Sequence, residues 1–295
     1  MIRLGVVGHR GYTELPGVLQ TLRELAPALD MRLFFEDELH GEAGFGDVLR
    51  DPSQIDALLT LGGDGTLLRG ARLVNLQPVP ILGVNLGRLG FLTCCPADQL
   101  QQALMRFARG DYTAENRMVI DARVADAQGR ERGRWFALND IVLHKGGFAR
   151  VVSLRVAANG ETIAVYGADG VVLSTPTGST AYSLSAGGPV VYPTLETIVV
   201  TPISAHTLAI RPVILPASTV VTVQAEDSPE ELLVTIDGQV GANFGGGETL
   251  TVRRGSGSVV VVRFPGASFF ATLRQKLGWG GLVDRDRPIE SRSSG

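Results

Sequence analysis

Ile55-Asp56-Ala57-Leu58-Leu59-Thr60-Leu61-Gly62-Gly63-Asp64-Gly65-Thr66-Leu67-Leu68-Arg69-Gly70-Ala71-Arg72-Leu73 reads as a buried strand, a glycine turn and a helix in succession. The apolar run from Ile55 to Leu61 suits a parallel strand covered on both faces. After Thr66 the apolar spacing becomes helical. A strand that passes through glycines into a helix start makes an anion site, because free backbone N–H groups converge where the helix dipole is positive. The glycines let the main chain approach a phosphate with no Cβ in the way. Asp64 is the odd member of this cradle. A loop that only grips phosphate gains nothing from a carboxylate, so the acid implies a second task, accepting a proton or holding a metal. Together they point to phosphoryl transfer.

Outward from this loop, strands alternate with helices through the first third of the chain. Strands are expected at 2–7, 31–35 and 79–84, and helices at 15–29, interrupted by Pro27, and at 97–109. Residues 36–52 read as a polar, glycine-containing loop. The pattern is that of a parallel α/β layer, in which ligands bind beyond the carboxyl ends of the strands. From about Tyr112 the texture changes. Residues 118–124 alternate with period two, and strands at 150–157 and 161–166 are joined through Asn159-Gly160, a hairpin signal. Further strands are expected at 199–201, 219–225, 232–237, 249–253 and 259–264. The fold class is therefore α/β plus all-β, with an α/β domain over 1–112 and a β-rich, mostly antiparallel domain over 113–265. Helical spacing returns at 268–277, so 266–283 is expected to pack back on the first domain, with 284–295 a flexible tail.

The chain has 295 residues, 44% of them hydrophobic, with a net charge of −3, enough apolar residues for a sizeable core and no basic tract for nucleic acid or an anionic membrane. The two cysteines, Cys94 and Cys95, are adjacent, which suits buried thiols rather than a disulfide or a zinc site. Four scattered histidines show no metal-ligand spacing. No apolar run approaches the ~20 residues that span a bilayer, and the first residues read as a strand rather than a signal peptide. A cytoplasmic protein is expected. A Gly-x-x-x-x-Gly-Lys-Ser/Thr loop and a Gly-x-Ser-x-Gly elbow are both missing from the sequence.

Four other segments attract attention. Asn85-Leu86-Gly87-Arg88-Leu89-Gly90-Phe91 suits a tight ligand-facing turn or an ordinary loop. Asn139-Asp140 places an amide and an acid within an apolar stretch, either to satisfy backbone at a bulge or to bind a polar ligand. The run from Asp169 to Pro189 is crowded with small hydroxyls and glycines; Thr177 or Ser179 can cap the short helix, but capping explains only one or two of the seven Ser and Thr from Ser174 to Ser185. Asp237-Gly238-Gln239, alone, is a turn between strands.

In this order the segments resemble the NAD kinase family, from about Asp56 to Gln239. Gly-Gly-Asp-Gly is shared with diacylglycerol-type lipid kinases and 6-phosphofructokinases, whereas the Thr175–Tyr182 run separates NAD kinases from both. The resemblance implies a Rossmann-like α/β domain, a β-sandwich-like domain and an active site between them. It implies transfer of a phosphoryl group from ATP or polyphosphate to the 2′-hydroxyl of the adenosine ribose of NAD, giving NADP, with magnesium or another divalent ion accompanying the donor. Homodimers or homotetramers are usual. By position, Asp64 would be the acid–base residue, and Gly62, Gly63, Gly65, Thr66 and Arg69 would shape the donor-phosphate pocket. NAD contacts would come from Asp64, Gly65, Asn139, Asp140, Arg150, Asp169, Thr180, Ala181, Tyr182, Ser183, Leu184, Ser185 and Gln239, with no protein metal ligands assigned. Asp140 stands where relatives usually have Glu, and Ser204-Ala205-His206 where many have Cys-Pro-His. A lipid kinase and a catalytically silent dinucleotide sensor are the alternatives.

Overall fold

The computed structural model describes residues 1–146, 151–206, 209–226 and 232–279. The first part runs β1 (Ile2–Gly8), α1 (Leu15–Ala28), β2 (Met31–Phe35), α2 (Asp37–Ala43), β3 (Asp47–Val48), β4 (Ala57–Leu61), α3 (Asp64–Val74), β5 (Ile81–Asn85), β6 (Cys95–Pro96) and α4 (Leu100–Ala108). Parallel ladders join β3, β2, β1, β4 and β5 in that order. Leu4, Val6 and Leu59 pack with α1 and α4 on one face. Val7, Leu58 and Ile81 pack with Leu67, Leu68 and Ala71 of α3 on the other. Because alternate residues of one strand meet helices on opposite sides, the strands read as unbroken apolar runs.

The stretch 36–52, expected as a loop, contains α2 and β3. Asp37 and Glu38 sit in the first turn of α2, where their charge suits the helix dipole, and Gly44 closes it with φ +68°. In the sheet, the chain leaves β1 on one side for β2 and returns on the other for β4. That reversal opens a crevice at the carboxyl ends of β1 and β4, the ligand position of such sheets. Gly8 and Gly62 stand at its walls, and His9 N donates to Leu61 O across it at 3.0 Å.

The remainder comprises β7 (Thr113–Ala125), β8 (Glu131–Ala137), β9 (Asp140–Lys145), β10 (Val152–Ala158), β11 (Glu161–Ala168), β12 (Gly170–Ser174), α5 (Tyr182–Ser185), β13 (Thr197–Ile203), β14 (Val213–Pro216), β15 (Val221–Ala225), β16 (Leu232–Ile236), β17 (Val240–Phe244), β18 (Thr249–Arg263) and α6 (Phe269–Leu277). One sheet has the order β14-β13-β12-β9-β16-β17 and is antiparallel throughout. Facing it, β11-β10-β15-β18 continues into β7 and β8. Inward residues of both layers, among them Ile120, Leu154, Tyr166, Leu173, Val200, Val234 and Leu250, form one core. This is a β-sandwich, as the family resemblance implies. Asn159 and Gly160 both take positive φ (51° and 85°) in the expected hairpin turn.

Two expected strands, 249–253 and 259–264, are one. β18 passes through a bulge between Arg254 and Ser258 and keeps its direction. The glycines that read as a break instead permit close crossing: a Cβ on Gly255 would lie 2.7 Å from Val119 Cγ2 and one on Gly257 3.0 Å from Leu76 Cβ. Beyond the bulge, Val261 pairs in parallel with Ile81 of β5. One strand therefore closes the sandwich and also extends the parallel sheet beside β5. α6 follows; Phe269 lies 6.0 Å from the ring of Phe91 and 5.4 Å from that of Tyr192. Arg150 and the tail at 284–295 lie outside the described residues.

Candidate active site

α3 begins at Asp64, three residues before the expected start, so Asp64 itself occupies the first turn with Gly63 as N-cap. The Gly63 carbonyl accepts the N–H of Thr66 at 3.0 Å, which leaves the N–H groups ahead of it as the ones a helix start offers to a ligand. Gly62 anchors the turn by donating its N–H to Val84 O at 3.0 Å. A Cβ there would lie 2.2 Å from Thr66 Oγ1, so Thr66 is folded back against the glycine and is only 8% exposed. Gly63 and Gly87 both lie beside the ring of Tyr12, and Gly65 is exposed.

The carboxylate of Asp64 is fixed from outside its own helix. The N–H of Phe91 donates to Oδ2 at 2.8 Å and that of Leu92 to Oδ1 at 2.9 Å. Gly90 makes this possible, since a Cβ on it would stand 1.9 Å from Asp64 Oδ1. Upstream, Asn85 closes its own turn by donating to Gly87 O at 2.9 Å. The Asn85–Phe91 segment is thus the seat of the acid. The neighbouring Cys94 and Cys95 are free thiols, Cys94 donating to Gly83 O.

Arg69, expected at the donor phosphates, makes a forked pair with Glu36 at 2.6 and 2.8 Å and donates to Gly8 O at 2.6 Å. Glu36 in turn accepts from Gly8 N at 2.8 Å. The pair ties the end of β1 to α3 across the strand-order reversal. Sequence reasoning missed Glu36, which sits in a stretch read as loop.

From the sandwich, three segments converge. Asn139 precedes β9 and Asp140 is its first residue; together they form the corner where β8, in one sheet, gives way to β9 in the other. Asp237 organises that corner. Its carboxylate accepts from the N–H groups of Leu138 (3.2 Å), Asn139 (2.7 Å) and Asp140 (3.2 Å), while Asp237 N donates to Asp140 O. Its own backbone is left-handed at φ +47°, followed by Gly238 at +66°, the two-residue turn that Asp-Gly favours. The sequence showed that turn but not the buried job of its acid. Burial raises the Asp237 pKa, opposed by the three amides and by Arg72. Arg72 Nη1 stands 3.9 Å from Asp237 Oδ2, an electrostatic contact rather than a hydrogen bond. The Arg72 fork also holds the Gln239 carboxamide, whose Nε2 reaches Gly65 O at 3.5 Å. These contacts join the β16–β17 turn to the start of α3.

Asp140 is 4% exposed. Burial, then repulsion from Asp237, pushes its pKa up to about 7, against the N–H of Tyr182, which favours the charged form. Three amides and Arg72 favour the charged form of Asp237, whereas Asp140 has only the N–H of Tyr182. Asn139, Asp140, Ala181, Tyr182, Asp237 and Gly238 line a cavity of about 410 Å³.

The hydroxyl-rich run is more internal than expected. Neither Thr177 nor Ser179 caps the short helix; Thr175 Oγ1 accepts from Gly178 N and donates to Leu138 O. Ser179 bonds Pro176 O and accepts from Val191 N, and Ser183 is buried against Thr201 at 3.0 Å. Gly178 has its Cα against the main chain of Asn139, where a Cβ would lie 2.0 Å from the carbonyl. Thr180, Ala181 and Leu184 are half-buried, and Tyr182 and Ser185 are exposed. Asp169 is not brought to this cluster. It precedes β12, whereas Ser174 at the other end pairs with Asp140, and five strand residues separate them by roughly 17 Å. Lys145 binds Asp169 at 2.7 Å and lowers its pKa.

A carboxylate on two amides at a positive helix start, together with a cavity that carries an amide, two acids and an aromatic ring, is equipment for phosphorylating a hydroxyl of a nucleotide-like acceptor. The comparisons agree. Residues 48–112 match the ATP-NAD kinase N-terminal domain and 138–264 the ATP-NAD kinase C-terminal domain. An NAD kinase of Gemmatimonas aurantiaca is 61% identical over 97% of this chain and 99% of its own. The crystal structure of yeast NADH kinase complexed with NADH superposes with TM-score 0.86 at 25% identity, over 97% of this chain and 90% of that one. An NAD kinase from Archaeoglobus fulgidus in complex with ATP shares the fold, with TM-score 0.71 at 24% identity over 95% and 100%. The chain belongs to the NAD kinase family, enzymes that phosphorylate NAD to NADP.

Proposed function

We propose that Asp64 takes the proton from the 2′-hydroxyl of the adenosine ribose of NAD as that oxygen attacks the terminal phosphoryl group of ATP. The observation that carries this reading is the fixed carboxylate at the start of α3. Each oxygen accepts one amide, which leaves lone pairs for a substrate hydroxyl. An unactivated ribose hydroxyl is a poor nucleophile, and phosphoryl transfer depends on positioning and charge stabilisation more than on covalent chemistry. Gly62, Gly63, Gly65 and the first-turn amides of α3 cradle the donor phosphates, Thr66 setting the turn's shape. Arg69 adds its charge at the crevice while its fork stays on Glu36. NAD occupies the cavity beside Asn139, Asp140 and Tyr182, with Thr180, Ala181 and Ser185 at its rim; Gln239 bridges it to the α3 loop.

Among the described residues no group of three His, Cys, Asp or Glu is placed to hold a metal ion. The residues present do not form a metal cage, and we propose that a divalent ion enters as part of the metal–nucleotide substrate. On the family resemblance we further propose a cytoplasmic homodimer or homotetramer; sedimentation reads the oligomer. No described helix is long and apolar enough to cross a membrane.

The test couples NADP formation to an NADP-specific dehydrogenase, with NAD and either ATP or polyphosphate. Asp64→Asn is expected to lower kcat by ~10²–10⁴-fold, the range of general-base assistance, with NAD affinity retained. A variant turning over like wild type would remove Asp64 from the base role.

A further inference from the structure

We infer that Arg263 is a positioning residue for Asp64, acting through the Phe91–Leu92 peptide bond; the inference rests on Asp64 being the base. Arg263 is the last residue of β18. Its Nη2 donates to Phe91 O at 2.6 Å and its Nη1 to Thr93 O at 3.1 Å. Phe91 O and Leu92 N–H belong to the same planar peptide group. That group therefore lies between a guanidinium at its oxygen and the Asp64 carboxylate at its N–H, 2.9 Å away. Each charge polarises the peptide toward the other, so the two hydrogen bonds strengthen together. Gly90 N donates to Thr93 Oγ1 at 3.2 Å and closes the turn on itself.

Two further observations favour a positioning role. The turn is backed by a cavity of about 460 Å³ lined by Phe91, Thr93, Arg117, Tyr192, Arg263 and Phe269, so packing alone does not hold it forward. In addition, among the described residues Arg263 has no carboxylate partner, and its fork is spent on carbonyls. The neighbouring cations are otherwise engaged. Arg117 is 3% exposed and bonds Glu115 at 2.5 Å and Thr177 at 3.2 Å, and Lys276 Nζ lies 5.0 Å from the centre of the Phe91 ring. Removing the Arg263 fork lets the turn settle toward the cavity and carries the two Asp64 donors with it.

The experiment compares Arg263→Met and Arg263→Lys with wild type in full-length protein, with thermal unfolding as the folding check. Methionine is expected to lower kcat about tenfold with KM for NAD little changed, the mark of a displaced reacting group rather than a lost binding contact. Lysine, which reaches one carbonyl, should recover most of the loss. In the Asp64→Asn background Arg263→Met should cost nothing further. The Leu92 amide proton, followed by NMR, should move upfield in Arg263→Met even if Asp64 is not the base. An unmoved Leu92 resonance, a rise in KM matching the fall in kcat, or a full tenfold loss in the Asp64→Asn background overturns the inference. Wild-type kcat in Asp64→Asn alone overturns the base reading instead.

Discussion

Replacing Gly90 with alanine exchanges a hydrogen for a methyl group at the most crowded point of the site. The new Cβ would stand 1.9 Å from Asp64 Oδ1 and 2.5 Å from its Cγ. Real Cβ atoms essentially never approach closer than 3.0 Å, so the carboxylate or the turn must retreat by about 1.1 Å. Gly90 has no positive φ, which leaves the clash as the only cost to the backbone. A retreat of that size breaks the 2.8 and 2.9 Å bonds from Phe91 and Leu92. Hydrogen bonds to a charged group contribute about 1.5–3 kcal/mol each, but Asp64 is half-exposed and water replaces part of them, so stability should fall by about 1–3 kcal/mol. Catalysis suffers more, because misplacing a reacting group by 1 Å costs about 100-fold, equivalent to ~2.7 kcal/mol of barrier. Steady-state NADP formation, with NAD and ATP varied in turn, should show the loss in kcat, while NAD affinity measured by equilibrium binding stays near wild type. A folded Gly90→Ala protein with kcat within about threefold of wild type would refute the claim that these amides set the position of the carboxylate.

Asp140 gives a pH-dependent outcome. Its pKa is raised to about 7 by burial and Asp237, so between pH ~4 and ~7 the folded state binds the extra proton and stability falls as pH rises. Asp140→Asn should abolish this slope and exceed wild type by about 2–4 kcal/mol above pH 7; urea unfolding at pH 5 and pH 8 that gives parallel changes in both proteins would count against it. Asp237→Ala orphans the amides of Leu138, Asn139 and Asp140 and should cost about 2–4 kcal/mol in the same assay, and a loss under ~1 kcal/mol would show that the carboxylate does not hold the corner.

The glycine loop and its flanking strand and helix were readable because each residue there answers to local physics: unbroken apolar β4, flexible glycines, helical spacing in α3. The sandwich was readable from period-two alternation and Asn159-Gly160. What escaped were partnerships across distance. Glu36, just past the end of β2, finds Arg69 only once the sheet has formed, and Asp237 reaches the 138–140 corner from nearly a hundred residues away. The hydroxyl-rich run is turned inward in part: Thr175 and Ser179 serve the main chain and Ser183 bonds Thr201, a use that composition alone does not distinguish from ligand contact. The strands expected at 249–253 and 259–264 are one, because Gly255 and Gly257 between them admit a close crossing.

The course of β18 also bears on how the chain assembles itself. The parallel sheet is begun by residues near the N-terminus, yet its strand beside β5 arrives about 180 residues later, with Val261 opposite Ile81. Val259 and Val261 complete the packing on one side of that sheet, and Val262 and Phe264 on the other. During synthesis the short β6 covers only the far end of the open edge of β5, and the Ile81 end has to wait until nearly the whole sandwich has emerged. Such non-local closure slows folding and exposes a strand edge to aggregation. The same closure makes the last strand a checkpoint: an unfinished chain has neither a sealed first sheet nor Arg263 behind the catalytic turn.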